Sequence, residues 1–500
     1  MTGRKSGVLL HISSLMGEYG IGTFGKEAKR FIDFLEQAGF HYWQVLPFTR
    51  IDACHSPYKS DSAFAGNLLF LDPEDLRDRD LLTEEECREC RYPTPYAAAY
   101  DWLLENRPPL FRKAFSRMDG ALRRKVEVFQ AENASWLPDY GLYMAVKEST
   151  GLDWCDWEDG PLKRHEAAAV VQAAEQYAEA ISYHAFLQYL FFDQWAKIKS
   201  YAHDHGVEII GDMPIYVSLE SVDVWRHREL FELDGRGNPA RVAGVPPDYF
   251  SADGQKWGNP LYAWGEMKAD DYGWWKDRLR HAAGLFDKVR IDHFRAFSAY
   301  WAVPFDAETA KEGKWEPGVG EEFFQEIFRE IPRDRIIAED LGQRDRSLET
   351  LLEQTGLPGM RVLQFGFLDE ADNLHLPHNY PRNTVAYSGT HDNNTLLAYL
   401  WELTPSQRER CLWYCGFQGE NWRDGGTRNP AVRAVLRTLW ASHAGLVIAP
   451  IQDLCGFGGD TKMNRPGVAE GNWEFRLTDQ AFAGIDAAYL RQLNDLYKRS

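Results

Sequence analysis

The chain has few cysteines, no long apolar run and a deficit of positive charge, and each shortage closes off a class of protein. Seven cysteines are scattered through 500 residues, too few for a disulfide framework, and an odd number leaves at least one thiol unpaired. Reduced thiols, and with them a cytoplasmic location, are expected. Cys87 and Cys90 resemble half a zinc site, but no second cysteine pair or nearby histidine pair completes it, and Cys411 and Cys415 sit four apart in a helix-like stretch, so metal is expected at neither. No run reaches membrane-spanning length, and the apolar residues after Arg4 and Lys5 stop at His11, too early for a signal-peptide core. With 56 basic against 75 acidic side chains the formal charge is −19, a field that repels nucleic-acid backbones and anionic lipid surfaces. Neither is expected as a partner; a neutral or cationic ligand fits better. Linker composition, low-complexity tracts and fixed-period repeats are also lacking, which points to a single folded unit over residues 1–500 with no separate C-terminal domain.

What is present is an ordinary soluble composition, 44% hydrophobic and 26% charged, able to bury a large core. Aromatic residues reach 14%, with 18 tryptophans; their flat faces suit sugar rings and equally suit an aromatic-rich core. Short runs of β-branched and apolar residues bounded by turn signals alternate with helical patterns, the mark of parallel βα units. Eight such runs are found: Val8–Ser13, Tyr42–Pro47, Val207–Met213, Lys288–His293, Arg335–Leu341, Arg361–Phe367, Thr384–Thr390 and Leu446–Asp453. Between them lie amphipathic segments such as Lys26–Ala38, Tyr183–Ala202, Trp274–Leu285, Phe323–Arg329 and Arg344–Gln354. Eight strand-helix units predict an α/β protein, a (β/α)8 TIM barrel. The gaps predict large, mostly helical insertions after the second, third and fourth strands, at about 49–182, 214–273 and 295–320. Helices are expected at Trp102–Phe115 and Glu166–Ala180 in the first, and a long functional loop at Pro246–Trp264.

In such a barrel, reacting groups gather at the C-terminal ends of strands. Four runs end in acids: Asp212, Asp292, Glu339 with Asp340, and Asp392. One acid at a strand end reads as a helix cap or a satisfied acceptor, whereas four converging on one rim repel each other unless function requires them. Arg290 and Asp292 are two apart and share a strand face, so the guanidinium keeps Asp292 ionised and oriented. Neighbouring strands lie ~4.8 Å apart, which brings Asp292 and Glu339 toward the ~5–5.5 Å separation of retaining glycosidases. The expected chemistry has Asp292 attack an anomeric carbon while Glu339 protonates the leaving oxygen, then serves as base. Burial and nearby anions are expected to raise the Glu339 pKa. Asp392 is expected on sugar hydroxyls O2 and O3, with His391 and His293 as candidate helpers.

Several segments carry a family resemblance: His11-Ile12-Ser13-Ser14-Leu15, Ser56-Pro57-Tyr58, Ser62 to Asn67, Gly211 to Val217, Val289 to Arg295, Ala338 to Gly342, Gly389 to Thr395 and Asn464-Arg465-Pro466-Gly467. In order and over nearly the whole length, they resemble the amylomaltase family of 4-α-glucanotransferases (glycoside hydrolase family 77 type). The resemblance implies Asp292 as nucleophile, Glu339 as acid/base and Asp392 as the stabilising acid. It implies sugar contacts from Tyr58, Asp212, Arg290, His293, His391 and Asn464, and subsite roles for Ser56, Gln255, Trp257 and Asp369. Pro247 to Ser251 resembles the family's loop over the cleft. It also implies no metal or organic cofactor, an α-1,4-glucan donor with a glucose or maltooligosaccharide acceptor, and a monomer or weak homo-oligomer. Met16, Leu68, Ala296, Asn394 and Phe475 depart from the family pattern, which has Pro, Pro, Gly, Asp and Trp there.

Other readings remain beside this one. Gly20, Gly22 and Gly25 superficially fit a dinucleotide fingerprint, but the second run ends Val45-Leu46-Pro47 without the acid that would hold a ribose. A non-catalytic glucan-binding protein would normally lack one of the three acids. A retaining α-glucan hydrolase would use the same residues, and only the resemblance favours transfer to a sugar hydroxyl over transfer to water.

Overall fold

The computed structural model describes residues 3–158, 160–247, 251–342, 345–368 and 373–500. Twelve strands occur among them, in chain order β1 Lys5–Leu9, β2 Tyr42–Gln44, β3 Glu208–Met213, β4 Arg241–Val245, β5 Gln255–Pro260, β6 Lys288–Ile291, β7 Ala299–Pro304, β8 Lys314–Pro317, β9 Ile336–Ala338, β10 Gly359–Val362, β11 Thr384–Tyr387 and β12 Leu446–Pro450. Eight of them form one sheet in the order β10-β11-β12-β1-β2-β3-β6-β9, and every printed pairing in it is parallel. The two edges meet. Ala338 N–H donates to Pro358 O at 2.9 Å, and Met360 N–H donates to the Asp340 carboxylate at 2.6 Å, so the sheet closes into the expected (β/α)8 barrel. Each of the eight expected runs overlaps one of these strands.

The runs read from the sequence mostly extend past the strand ends. Thr384–Thr390 pairs only to Tyr387, and Leu446–Asp453 only to Pro450. Leu363–Phe367, expected as strand, is 3₁₀ helix. The cause is burial: Ser388, Leu363 and Ile451 are as deeply packed as the strands they follow, because the chain dives into the barrel mouth on leaving the sheet. Helix Lys26–Ala38 matches its expected bounds. Phe31, Ile32, Leu35 and Ala38 face inward at three- and four-residue spacing, and Gly39 ends it in the left-handed region at φ 76°. The glycines at 20, 22 and 25 serve close packing. A Cβ on Gly22 would stand 1.8 Å from Ile12 O, and one on Gly25 would meet the Asp72 carboxylate at 2.7 Å. An acidic side chain thus already lies against the start of the helix where a pyrophosphate would need to bind.

The stretch after β2 is helical, with helices at Tyr100–Ser116, Gly120–Glu132, Leu137–Thr150 and Ala167–Gln176. Ala178–Asp204 then runs 27 residues without a break, across the boundary expected at 182. The stretches after β3 and β6 differ from expectation. They are not mostly helical: β4 and β5 from the first and β7 and β8 from the second build one four-stranded antiparallel sheet, order β5-β4-β7-β8. Part of the expected long loop at Pro246–Trp264 is strand β5, and Asp248, Tyr249 and Phe250 lie outside the described residues, as does Arg344. No helix among the described residues is long and apolar enough to cross a membrane.

Candidate active site

Strands β3, β6 and β9 are neighbours, and their register decides what meets at the rim. Asp212 pairs directly across from Arg290, and Arg290 across from Ile337. Arg290 Nη1 lies 2.7 Å from both Asp212 oxygens, and Nη2 lies 2.8 Å from Asp292 Oδ1. One buried guanidinium therefore ties two carboxylates together. Burial opposes its charge, but Asp212 and Asp292 hold Arg290 well above its ordinary value, so it stays cationic. Burial pushes the Asp212 carboxyl up while the same guanidinium pulls it down.

Glu339 follows β9 and turns toward β6. Its Oε2 accepts the His293 amide at 2.8 Å and its Oε1 the Leu341 amide at 2.6 Å. His293 makes the first bond possible by adopting a left-handed φ of 51° immediately after Asp292, an uncommon conformation for a residue with a Cβ. The Glu339 carboxyl is thus fixed against the peptide that follows Asp292. Burial first, and the charge of Asp292 second, push Glu339 up to about 8, against the opposing pull of Arg290 and the two amides. The adjacent acid does different work. Asp340 accepts Met360 N–H and pairs with Arg361 at 3.1 Å, across the barrel seam.

A third group of residues stands opposite. Tyr58 Oη donates to Asp212 Oδ2 at 2.8 Å, and with its single hydrogen spent it accepts from His391 Nε2 at 3.0 Å. His391 Nε2 is also 3.4 Å from Asp392 Oδ2, and Asp392 Oδ1 accepts Asn464 Nδ2 at 2.6 Å. Burial keeps Tyr58 a neutral phenol and lowers His293 to about 4, so that imidazole is uncharged at neutral pH.

These groups surround a cleft of about 280 Å³. Of the residues singled out from the sequence, Ser56, Tyr58, Trp257, Asp292, His293, His391, Asp392 and Asn464 line it. Asp212, Arg290 and Glu339 stand behind them: the Asp292 side chain is 29% exposed, that of Arg290 4% and that of Asp212 0%. Gln255 reaches the site through Trp257, whose Nε1 donates to it at 3.1 Å. Strand β5 carries both, and sets the Trp257 ring edge-on to His293 with centroids 4.8 Å apart. Asp369 lies outside the described residues. Trp473, Asn259 and Lys59 also line the cleft and were not singled out. Trp473 carries the clearest structural signal. Its φ is +68°, its backbone is held by Met463 O at 2.7 Å and by Tyr100 Oη at 3.2 Å, and its ring lies 5.5 Å from Tyr58 and 5.8 Å from His391. A tryptophan in the turn-rich, aperiodic stretch Gly471-Asn472-Trp473 was the available sequence clue. Asn394 donates to Glu402 at 2.6 Å; an aspartate there would face a like charge. Among the described residues no three His, Cys, Asp or Glu side chains come together in a metal-holding group.

The (β/α)8 barrel and its acid-lined cleft agree with what comparisons with known proteins show, a glycosyltransferase-type enzyme. Residues 10–481 match the family described as 4-alpha-glucanotransferase. The chain belongs to that family. A 4-alpha-glucanotransferase of Aquifex aeolicus (strain VF5) is 41% identical over 480 residues, spanning 95% of this chain and 96% of its own. One from Thermus thermophilus is 41% identical over 502 residues, covering 99% of each. Among solved structures, an amylomaltase from Streptococcus agalactiae in complex with acarbose superposes with a TM-score of 0.94 at 39% identity, covering 99% of this chain and 100% of that one.

Proposed function

We propose that this 4-α-glucanotransferase works by retaining double displacement through a covalent glycosyl-aspartate. Asp292 is the nucleophile. Arg290 holds its Oδ1, which leaves Oδ2 to attack the anomeric carbon of the donor glucan as the bond from that carbon to the glycosidic oxygen breaks. Glu339 gives its proton to the departing oxygen. The 4-hydroxyl of glucose or another glucan then attacks the same carbon, Glu339 takes back a proton, and the ester to Asp292 breaks. Asp392, steadied by Asn464, binds the sugar hydroxyls O2 and O3, where hydrogen bonds tighten as charge develops at the ring. Tyr58, His293, His391, Trp257 and Ser56 form the sugar-binding wall, with Asp212 and Gln255 behind it.

The observation that carries this reading is the unequal treatment of two neighbouring acids. Asp292 is clamped to a permanent cation and open to the cleft, whereas Glu339 is recessed and raised to about 8. One is ion-paired to Arg290 and open for attack and the other keeps a proton at neutral pH, the division that the reaction needs. All seven cysteines are free, which supports a reducing, cytoplasmic setting. Incubation with maltotriose followed by chromatography tests transfer. A ladder of longer maltooligosaccharides with glucose is expected; glucose and maltose alone would show a hydrolase.

A further inference from the structure

The eighth run of the barrel ends in an acid that the cleft does not use. Asp453 stands in the short helix Ile451–Cys455 that follows β12 and is 2% exposed. It forms no ion pair among the described residues. Both of its oxygens are taken by the segment that leaves β11: Oδ2 accepts the Ser388 hydroxyl and Oδ1 the Leu396 amide, each at 2.6 Å. Ser388 is the first residue after β11, and Leu396 the first of the helix Leu396–Glu402. One carboxylate therefore pins both ends of the stretch that carries His391 and Asp392.

Little else holds that stretch. Sheet pairing is already weak at its start, where Ser388 N–H lies 3.3 Å from Ile448 O. Inside it, the Asp392 amide reaches Thr390 Oγ1 only at 3.3 Å; from outside, Gln364 donates to Asn394 O at 2.8 Å and Asn464 N–H to His391 O at 3.0 Å. Asp453 also shares with His391 the wall of a cavity of about 30 Å³, so it stands directly behind the residues that face the sugar. Burial pushes its carboxyl up to about 6, against the Ser388 hydroxyl and the Leu396 amide, which favour the charged form. An unpaired buried carboxylate is costly to keep. A same-sized amide would fill the space without that cost, but it has one accepting oxygen for two donors.

We propose that Asp453 is a positioning residue for transfer: by fixing both ends of the segment from Ser388 to Leu396 it sets the Asp392 carboxylate against the donor sugar. This role rests on Asp392 being the acid that binds O2 and O3. Hydrogen bonds that tighten as charge develops at the ring lose more from a displaced partner in the transition state than in the bound substrate. A misplacement of about 1 Å caused by a remote change costs about 10²-fold in rate. Asp453 acts through the segment and does not itself line the cleft.

The test uses the full-length enzyme with maltotriose as donor and acceptor. Asp453→Asn and Ser388→Ala are each expected to lower kcat by about 10- to 10²-fold while KM changes by less than about twofold. Ser388→Ala deletes a single hydroxyl and carries the test should Asp453→Asn fail to fold. The same substitutions are then made in Asp392→Asn, which by itself is expected to lose about 10²–10³-fold. There they are expected to cost less than about twofold more, because the group they position is already gone; an acid with a merely structural role would give losses that multiply. Multiplied losses, or a parental kcat in both single variants, would overturn the proposal. Full activity in Asp392→Asn would instead sink the reading of Asp392, and this role with it.

Discussion

Replacing Glu339 by Gln probes the proposed acid–base role and the cost of burying that acid in one experiment. In the folded chain its carboxyl is raised from an ordinary 4.5 to about 8, so the native state keeps a proton across an interval in which the unfolded chain has lost it. Stability from this group is therefore full below about pH 4.5 and is lost as pH rises through about 8, a change of about 5 kcal/mol at the extreme. Glutamine does not titrate and has no such slope. It carries a fixed penalty instead. Both Glu339 oxygens accept backbone amides, from His293 and Leu341, and a glutamine has one carbonyl oxygen, so one amide faces an NH2 group at a cost of about 1–3 kcal/mol. The variant is expected to unfold at a lower temperature than the parent near pH 5.5 and to draw level or overtake it by pH 9. Thermal melts across that range, followed by circular dichroism, measure this. Transfer between maltooligosaccharides is expected to fall by about 10²–10⁴. Melting curves that stay parallel across the pH range would refute the burial argument, and undiminished transfer would refute the role.

Asp292→Asn is expected to lose transfer activity by at least about 10³-fold while keeping its far-ultraviolet spectrum, because Arg290 remains clamped to Asp212. The same variant removes one cause of the raised Glu339 value, so its alkaline loss of stability should span a narrower pH interval than the parent's. For Arg290→Lys, one ammonium cannot reproduce the two contacts to Asp212 and the third to Asp292, and breaking a buried pair of this kind costs about 3–5 kcal/mol; a urea midpoint equal to the parent's would show that the clamp is not structural. Tyr58→Phe deletes the hydroxyl shared by Asp212 and His391. A loss of about 1–3 kcal/mol in stability is expected, together with a lower kcat/KM on maltotriose, and an unchanged kcat/KM would separate this contact from catalysis.

Much of the fold was legible because a parallel barrel strand is buried on both faces and reads as an apolar run. Leu446–Pro450, Ile336–Ala338 and Glu208–Met213 announce themselves in this way. Strand β1 begins at Lys5, three residues before Val8, because Lys5-Ser6-Gly7 has little β character and is a strand only through its partners Leu446, Val447 and Ile448. The antiparallel sheet beside the cleft was invisible for a related reason. Ala243 meets Ala302, a pairing between segments some sixty residues apart with a barrel strand between them, and no local pattern records it.

The order of residues by itself determined the eight βα units, the acids at the strand ends and the placement of Arg290 two positions before Asp292, since these follow from periodicity along a single strand. Tertiary structure alone decided the surroundings of each acid. Glu339 and Asp340 are consecutive and chemically alike, yet one turns toward the peptide after Asp292 and is raised to about 8, while the other closes the barrel seam onto Met360 and Arg361. The difference lies in which strand stands on each side and how deeply each carboxyl is buried, and both are properties of the closed sheet. Trp473 and Asn259 likewise join the cleft only because distant loops and β5 are carried to it.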